Sequence, residues 1–388
     1  MNILHVIDSL DPASGGPALV SISLAAAQAR LGHNVSILCN NEPGRKQDIA
    51  KSHAIIPGAD LVNIVDLRSP GWVEKISSKK AQPLLRELIH ADSFVHLHGI
   101  WEPTLWRAGA MARERGVGYA VRPLSLLHPW QMKRHVLAKR IVFAIGVQRL
   151  LSEASFIHAL NEDEVRFVRK FAARVRIEVI PNGVFLEQFK PWPVQGSFYV
   201  RHPELKGQPY ILFLSRLHHQ KGLKLLAAAF QIVAAKNRDT RLVVAGPDRG
   251  EEALFRKLID NMGLTDRVHL VGPLYGAEKT EALCDASCYC LPSLNEGFSM
   301  AVTEALACGL PVVISDQCFF PEVTHVGAGE VVPLNPDRIA SALLRILEDP
   351  VLNAKMSDSA RRLVADRYTW PCIAQQTILA YERRKGTF

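Results

Sequence analysis

Two pairs of charged residues have a spacing that could serve a single ligand. Arg216 and Lys221 lie in the segment SRLHHQKG, and Glu296 and Glu304 lie in SLNEGFSMAVTEALACGLPVV. An arginine fork together with a lysine ammonium suits a diphosphate, and carboxylates suit the vicinal hydroxyls of a ribose or a sugar ring. Two simpler interpretations stay open: solvated cations in a loop, and one glutamate that stabilises a helix dipole beside another on the surface.

Glycines and histidines mark two further candidate positions. Gly15 and Gly16, in SGGP, separate a predicted strand from a predicted helix, where backbone amides can approach a phosphate. A tight turn explains the same glycines, and neither G-x-G-x-x-G nor a P-loop pattern follows. His98 lies near the end of the predicted strand SFVHLHG, where a structural histidine is the alternative. We expect His96 and His98 to point to opposite faces of that strand.

Hydrophobic patterning predicts the elements that must position these residues. NILHVIDSL (2–10), a glycine turn, a helix over 18–32 and a strand over 33–40 form a β–turn–α–β unit, the opening of a doubly wound parallel sheet. The same pattern predicts later strands and helices in this half. The strands are 93–99, 117–124, 154–161 and 175–183, and the helices are 103–115, 130–152 and 161–172.

A segment rich in proline and glycine, 191–209, is predicted to be a linker, after which the αβ pattern restarts. We predict strands over 209–217, 240–247, 267–274, 287–293, 310–316 and 329–334, with helices over 222–237, 250–264, 279–286, 299–309, 336–348, 350–367 and 370–384. The fold class is therefore α/β, with two doubly wound domains facing across a cleft. Ligands of such sheets bind outside the carboxyl ends of the strands.

Composition narrows the class of protein. The chain has 388 residues, of which 48% are hydrophobic and 22% charged, which suits two ordinary globular domains. Its 7 cysteines lie mostly in apolar runs, which favours reduced thiols in a cytoplasmic protein. Cys284, Cys288 and Cys290 do not have the spacing of a common zinc site. We expect neither a secretory signal nor a membrane span.

Positive charge is concentrated in one window of the chain. The net charge is +8, and residues 101–150 hold nine basic and two acidic residues, a net charge of +7. Such a patch suits nucleic acid, anionic lipid headgroups or a diphosphate ligand. No nucleic-acid reader motif is recognised in the sequence and we expect no basic surface interleaved with aromatic residues, so we expect no nucleic-acid partner.

Taken in order, the quoted segments resemble the GT4 family of retaining glycosyltransferases, which have the two-domain GT-B fold. SLNEGFSMAVTEALACGLPVV is similar to the E-x7-E signature of that family, and SRLHHQKG to its R-x4-K pair. SGGPALVSISLAAAQARLGHNVSIL is similar to its glycine loop, first helix and second strand, and VIPNGV to the segment before its linker. The resemblance also covers LVVAGP, VHLVGPL and the C-terminal helix, which in the family crosses back onto the first domain.

The resemblance implies Rossmann-like domains with separate tasks. Residues 1–190 would form the acceptor-binding domain, joined by the crossing helix at 368–388, and residues 205–367 would bind a nucleotide-sugar donor. Arg216 and Lys221 would bind the diphosphate, Glu304 the ribose and Glu296 the transferred sugar, with His98 near that sugar. The implied catalytic residues are Glu296, His98, Arg216 and Lys221. The implied donor-binding residues are Gly15, Gly16, Arg216, Lys221, Gly272, Leu274, Glu296, Gly297, Phe298, Ser299 and Glu304.

The resemblance further implies a front-face displacement with retention and neither a metal nor another cofactor. The acceptor would be a sugar or a lipid-linked glycan of bacterial polysaccharide biosynthesis, on the cytoplasmic side of the membrane. The basic stretch HPWQMKRHVLAKRIVF (128–143) would contact an anionic membrane surface, and a solvated helix face is the alternative. A sucrose- or trehalose-type synthase and a glycogen-synthase-like polymerase are enzyme alternatives. A nicotinamide oxidoreductase is disfavoured because its glycine fingerprint is missing.

Overall fold

The computed structural model describes residues 1–40, 43–67, 78–132, 136–205 and 207–383. The chain forms two compact units. Unit 1 comprises Met1–Gln188 together with the C-terminal segment that begins at Trp370, and unit 2 comprises Phe189–Thr369.

The described residues of unit 1 contain a seven-stranded sheet in which every neighbouring pair is parallel. Its order is β3-β2-β1-β4-β5-β6-β7. The strands are β1 Asn2–Ile7, β2 Asn34–Cys39, β3 Asn63–Asp66, β4 Ser93–His98, β5 Gly118–Arg122, β6 Phe156–Ala159 and β7 Ile177–Val179. Every residue of β4 and β5 is buried, as expected for the middle of a parallel sheet covered by helices on both faces.

Helices connect these strands. They are Gly16–Arg30, Lys46–Ala54, Ala81–Leu88, Pro103–Glu114, Pro129–Met132, Val136–Val142, Gln148–Ser152, Glu162–Arg169 and, from the C-terminus, Trp370–Glu382. A π-helix, Phe143–Val147, lies between two of them. Over 136–152, the described residues of the helix predicted over 130–152 run without a break through this π-helical turn. Gly146 lies against the Trp106 ring, since a Cβ there would be 2.4 Å from the indole.

Unit 2 repeats the same architecture. Its described residues contain a six-stranded parallel sheet of order β10-β9-β8-β11-β12-β13. The strands are β8 Tyr210–Leu214, β9 Arg241–Ala245, β10 Val268–Gly272, β11 Cys288–Leu291, β12 Val312–Ser315 and β13 Gly329–Val332. The helices are Ser197–Arg201, Leu223–Lys236, Glu252–Asn261, Gly276–Asp285, Met300–Ala307, Glu322–His325, Pro336–Glu348 and Pro350–Arg367. The two units thus confirm the predicted pair of Rossmann-like α/β folds.

The predicted linker contains ordered structure, so that prediction was wrong. Within 191–209, the helix Ser197–Arg201 buries Phe198 completely against unit 2. The Asp285 carboxylate accepts hydrogen bonds from the backbone N–H groups of Gly196 at 2.7 Å and Phe198 at 2.8 Å. Proline and glycine content indicated a loop, but one aromatic side chain is enough to anchor this short helix in the core.

The C-terminal helix Trp370–Glu382 packs on unit 1. The Trp370 amide donates to the Val184 carbonyl at 3.0 Å, and the Tyr381 ring stacks on Phe94 with centroids 4.1 Å apart. The Arg176 guanidinium donates to the Ala380 carbonyl at 2.7 Å. This packing holds the last described helix against the amino-terminal sheet.

Candidate functional site

In unit 2 the charged loops lie at the point where the strand order reverses. The chain runs outward from β8 to β9 and β10, then returns to place β11 beside β8. The loop after β8 carries Arg216 and Lys221, and the loop after β11 carries Glu296. Since both strands are parallel, both loops emerge from the same edge of the sheet, the general ligand position in such folds.

Close backbone contacts hold these two loops together. The Leu294 amide donates to the Gln220 carbonyl at 2.7 Å, and the Ser293 hydroxyl donates to the same carbonyl at 2.9 Å. Gly222, which ends the first loop with φ of 74°, faces the second loop so closely that a Cβ would lie 1.8 Å from the Pro292 carbonyl oxygen. A glycine is therefore required at this position by both conformation and space.

Replacement of Gly222 by alanine is expected to destabilise unit 2 by about 3 kcal/mol or more, because the new Cβ forces the two loops apart. Gly263→Ala is the matched control. Gly263 has φ of 65°, but a Cβ added there would meet no atom within 4 Å, so only the conformational cost of about 1 kcal/mol should remain. Urea unfolding of both variants measures the difference, and equal losses would show that loop contact is unimportant.

Lys221 and Glu296 form an ion pair that joins the two loops. Their side chains are only 12% and 9% exposed, so the pair is largely removed from solvent. Arg216 is exposed beside it. Burial first, and then the nearby charges of His219, Arg216 and Lys221, lower the pKa of His218 in the same loop. The loop after β8 therefore presents positive potential to a ligand.

Glu304 lies in the helix Met300–Ala307 and is also paired. Its carboxylate accepts from the Lys279 ammonium at 2.8 Å, and both side chains are partly buried. Lys279 lies in the helix Gly276–Asp285 and was missed by sequence reasoning, since no motif surrounds it. The Ser299 side chain caps the helix of Glu304 by accepting from the Val302 amide at 3.4 Å, which agrees with the predicted helix start.

The other predicted donor residues occupy the same edge of unit 2 in different ways. Phe298 packs its ring on Phe320 and Tyr368, with centroids 5.6 and 6.1 Å away, so its side chain is engaged in the protein. Gly297 precedes it and is half-buried. Gly272 ends β10 with φ of 76°, and Leu274 just beyond it is buried.

Unit 1 has its own reversal point, between β1 and β4. Gly15 and Gly16 lie in the connection after β1, and Gly16 begins the helix Gly16–Arg30. A Cβ at either glycine would meet no atom within 4 Å, so this helix N-terminus is open. His98 is the last residue of β4 and is only 2% exposed. The structure thus places both candidates at the carboxyl edge of the sheet.

His96 and His98 lie on the same face of β4, and the prediction of opposite faces was wrong. Residues two apart in a strand share a face, and the two rings stack with centroids 4.7 Å apart. His5 joins them from β1, with ring centroids 5.3 and 5.1 Å from theirs. One nitrogen from each of the three imidazoles lies within 4.8 Å of the others, which is close enough for a metal site.

Two further charged groups at this edge escaped the sequence analysis. Arg122, the last residue of β5, is completely buried, and its guanidinium donates to Asn182 Oδ1. Its Nε and Nη1 atoms find no partner among the described residues. Burial lowers the pKa of Arg122 to about 10, partly offset by the charge of Glu164. A charged residue inside the predicted strand 117–124 was the available signal.

Glu102 follows β4 and is the second of these groups. Burial, and then the Asp8 carboxylate, raise the pKa of Glu102 to about 7. Its Oε2 atom is buried without a hydrogen-bond partner in the described part of the chain, and a Cβ on Gly99 would lie 3.1 Å from that oxygen. A carboxyl group in this setting changes its charge near neutral pH.

Glu102→Gln is expected to stabilise unit 1 more at pH 8.5 than at pH 5. The carboxyl of the folded protein ionises at a higher pH than that of the unfolded chain, so wild-type stability falls as pH rises from about 4.5 to about 7. Glutamine stays neutral, and the benefit of the substitution should grow by about 2–3 kcal/mol across this interval. Urea unfolding of both proteins at the two pH values measures it. An equal effect at both would contradict the role of burial.

Two family models match the chain. The model of glycosyl transferases group 1 matches residues 198–363, and that of the glycosyl transferase 4-like domain matches residues 15–183. The chain is 32% identical over 219 residues to MMP alpha-(1->4)-mannosyltransferase of Mycolicibacterium hassiacum, covering 54% of this chain and 48% of that protein. It is 34% identical over 211 residues to phosphatidyl-myo-inositol mannosyltransferase of Mycolicibacterium smegmatis, covering 53% and 52%. The matched region is thus about half the length of these relatives.

Solved structures share the fold over the whole chain. Sucrose-phosphate synthase from Thermosynechococcus elongatus superimposes with a TM-score of 0.75 at 21% identity, covering 99% of each chain. Anabaena HepE in complex with UDP superimposes with a TM-score of 0.78 at 19% identity, covering 100% of each chain. With both family models matched in chain order and two Rossmann-like units in place, the chain belongs to the group 1 glycosyl transferases of the GT4 family and has the GT-B fold.

Proposed function

We propose that this protein transfers a sugar, with retention of configuration, from a nucleoside-diphosphate sugar to an acceptor on a membrane lipid. The observation that carries the proposal is the joined pair of loops at the reversal point of unit 2. They hold the exposed Arg216 beside the buried ion pair of Lys221 and Glu296. The donor type agrees with the UDP bound to HepE, a structural neighbour.

Charge explains how this site would act on a donor. Cleavage of a sugar–phosphate bond leaves negative charge on the diphosphate, which Arg216 and Lys221 would stabilise as it develops. When a diphosphate engages Lys221, the Glu296 carboxylate is released from part of its ion pair and becomes free to accept hydrogen bonds from sugar hydroxyls. Glu304, held by Lys279, would accept from the ribose hydroxyls. We assign no metal or other cofactor to this chemistry.

The proposed mechanism is a front-face displacement. Glu296 is engaged by an ammonium group and acts as an orienting group in this account, not as a nucleophile. The departing diphosphate would take the proton of the acceptor hydroxyl, and the new bond would form on the side that it leaves. Retention follows from that geometry.

Unit 1 has a surface that suits the proposed membrane contact. Leu137, Ile141 and Ile145 recur at helical spacing and are 76%, 60% and 71% exposed. Arg140 is exposed among them. Lys139 donates to the Gln131 carbonyl at 2.5 Å and lies 5.4 Å from the centre of the Trp101 ring, so its ammonium group is engaged within unit 1.

An exposed apolar row next to positive charge is the pattern of an interfacial helix. Lys133 and Arg134, the other cations of the predicted basic stretch, lie outside the described residues. No helix in the described part of the chain combines the length and apolar character that a bilayer span requires. The proposal is therefore surface contact at the inner face of the membrane.

Changing Leu137, Ile141 and Ile145 together to glutamine is expected to weaken binding to anionic vesicles at least about tenfold, because three apolar side chains no longer enter the lipid. Sedimentation with vesicles of equal parts phosphatidylcholine and phosphatidylglycerol measures this. The matched control changes three exposed apolar residues of unit 2 to glutamine: Val200, Leu254 and Val351. Two results would contradict the proposed membrane contact. One is an equal loss of vesicle binding in both triple variants, and the other is wild-type binding that does not depend on the charge of the lipid.

Product analysis tests the proposed reaction. The protein is incubated with UDP-glucose, UDP-N-acetylglucosamine or GDP-mannose and with a bacterial lipid extract, and separately with free sugars and sugar phosphates. A lipid-linked product whose anomeric configuration matches that of the donor, identified by NMR coupling constants, is the expected result. Inversion would contradict the mechanism, and a product from soluble acceptors alone would contradict the lipid acceptor.

A further inference from the structure

Buried imidazoles and the C-terminal helix form one continuous hydrogen-bonded chain in unit 1. His98 Nε2 lies 2.8 Å from His5 Nδ1, and His5 Nε2 lies 2.7 Å from Gln28 Oε1. The Gln28 amide nitrogen is 2.9 Å from Thr377 Oγ1 and 3.1 Å from the Tyr381 hydroxyl. All five side chains are at most 2% exposed, so each group must find its partner inside the protein.

The imidazoles of this network are neutral at physiological pH. Burial lowers the pKa of His5 to about 4. Burial also holds the pKa of His96, His98 and His158 well below the ordinary value, with a further contribution from the charge of Arg122. A neutral imidazole has one nitrogen that donates and one that accepts, so each ring has a defined direction within the chain.

A backbone carbonyl on the C-terminal helix sets that direction. Thr377 Oγ1 lies 2.7 Å from the Ala374 carbonyl, which can only accept, so the single hydroxyl proton of Thr377 is used there. Thr377 must then accept from the Gln28 amide NH2, which leaves Gln28 Oε1 facing His5. His5 Nε2–H therefore donates to Gln28 Oε1, and the unprotonated Nδ1 of His5 accepts a hydrogen bond from Nε2–H of His98.

A second carbonyl leads to the same orientation of Gln28. His158 Nε2 donates to the Ile180 carbonyl at 2.7 Å, so its bare Nδ1 accepts from His96 Nε2 at 3.3 Å. His96 Nδ1 then accepts from the Tyr381 hydroxyl at 2.5 Å. Because the hydroxyl proton of Tyr381 is donated to His96, the Tyr381 oxygen can only accept a hydrogen bond from the Gln28 amide NH2. Two independent anchors thus assign the amide of Gln28 in the same way.

We propose that Gln28 is a positioning residue that holds His98 in the Nε2–H tautomer, so that the bare Nδ1 of His98 accepts a hydrogen bond from a ligand hydroxyl. His98 Nδ1 is buried and has no partner among the described residues. It belongs to the last residue of β4, beside the reversal point of the unit 1 sheet. The inference rests on the proposed function, because a sugar supplies the hydroxyl.

This tautomer selects the chemistry of the ligand. A hydroxyl can donate to the Nδ1 lone pair, whereas an ionised phosphate or carboxylate oxygen would face it without a proton to share. Arg122, paired with His98 in the sheet register, discourages protonation of the ring by its positive charge. The position therefore favours a neutral, hydroxyl-bearing part of a substrate.

Nitrogen NMR tests the tautomer directly. Long-range 15N–1H correlation spectra of the full chain at pH 7.5 distinguish a protonated Nε2 from a protonated Nδ1, and His98→Gln identifies the signals of His98. The expected result is protonated Nε2 and bare Nδ1. A protonated Nδ1, or a charged ring, would overturn the proposal. This measurement needs no variant of Gln28 and stands even if such variants fail to fold.

Variants test the role of Gln28. In Gln28→Met the His98 signals should show both tautomers, while Thr377→Ser, which keeps the hydroxyl anchor, should preserve the wild-type pattern. Turnover of UDP-glucose or GDP-mannose in Gln28→Met should fall by about fivefold to tenfold, the effect of one hydrogen bond. The Kd of UDP or GDP alone should not change, because the residues proposed for the diphosphate belong to unit 2.

Other outcomes separate this inference from the proposed function. Failure of every nucleoside diphosphate to bind the wild-type protein would contradict the proposed function. It would not affect the tautomer of His98, which NMR measures without a nucleotide. An unchanged tautomer together with unchanged turnover in Gln28→Met would overturn the positioning role alone. Stoichiometric binding of Zn²⁺ with loss of the His98 Nε2–H signal would show that His5, His96 and His98 are a metal site instead.

Discussion

Replacement of Arg216 by alanine is expected to lower sugar transfer by about 10² to 10³-fold while leaving the fold intact. Arg216 is exposed at the carboxyl edge of unit 2 and, within the described residues, makes no ion pair that supports the fold. If Arg216 binds the diphosphate as proposed, its loss removes a bidentate donor and one positive charge from the leaving-group site. Initial rates of nucleotide release with the active donor measure the effect, and thermal unfolding reports on the fold.

Arg238→Ala is the matched control for this variant. Arg238 is also exposed, but it lies before β9, at the opposite edge of the same sheet. It should retain wild-type rates, because only a cation at the carboxyl edge can reach the ligand. Full activity of Arg216→Ala, or an equal loss in both variants, would refute the phosphate-binding role.

Breaking the ion pair between Lys221 and Glu296 from one side is expected to cost unit 2 about 3 kcal/mol of stability. Each of Lys221→Met and Glu296→Leu leaves a charge that is mostly buried without its partner. The double variant should recover most of that loss, because two apolar side chains of similar size need no counter-charge. Urea unfolding of the four proteins gives the coupling energy of the pair.

The pair of Arg201 and Glu281 provides the comparison in the same unit. Arg201 is exposed there, so solvent screens the interaction and the coupling energy should be several-fold smaller. A nucleoside diphosphate should bind both the double variant and Lys221→Met more weakly than the wild-type protein, because both lack the Lys221 ammonium group. If the stability losses of Lys221→Met and Glu296→Leu simply add in the double variant, the two side chains are not coupled. That result would contradict a buried ion pair that links the loops.

Local pattern was enough to place the loops that carry the proposed donor residues. Apolar runs bounded by turns predicted β8 and β11, and a parallel sheet necessarily brings the ends of these strands to one edge. The positions of Arg216, Lys221 and Glu296 follow from that placement, whereas their proposed roles come from the family resemblance. By contrast, β3 was not predicted, because its four residues, NIVD, are short and partly exposed and therefore lack a buried-strand signature.

Contacts between distant parts of the chain account for what the sequence did not reveal. Gln28 meets Thr377 and Tyr381 only because the C-terminal helix returns to unit 1. In the sequence Gln28 is simply one polar residue within an alanine-rich helix. Lys279 likewise shows its partner, Glu304, only after two helices pack together. Charge pairing across elements depends on packing, which periodicity does not encode.

Calorimetric titration of the full chain with UDP, GDP and ADP, and with the matching monophosphates, tests the central claim most directly. The account predicts that one diphosphate binds at least about tenfold more tightly than its monophosphate, since Arg216 and Lys221 act on the second phosphate. It also predicts that Arg216→Ala reduces this difference, because only Lys221 then acts on the second phosphate. Absence of binding by every diphosphate, or an unchanged preference in Arg216→Ala, would contradict the account.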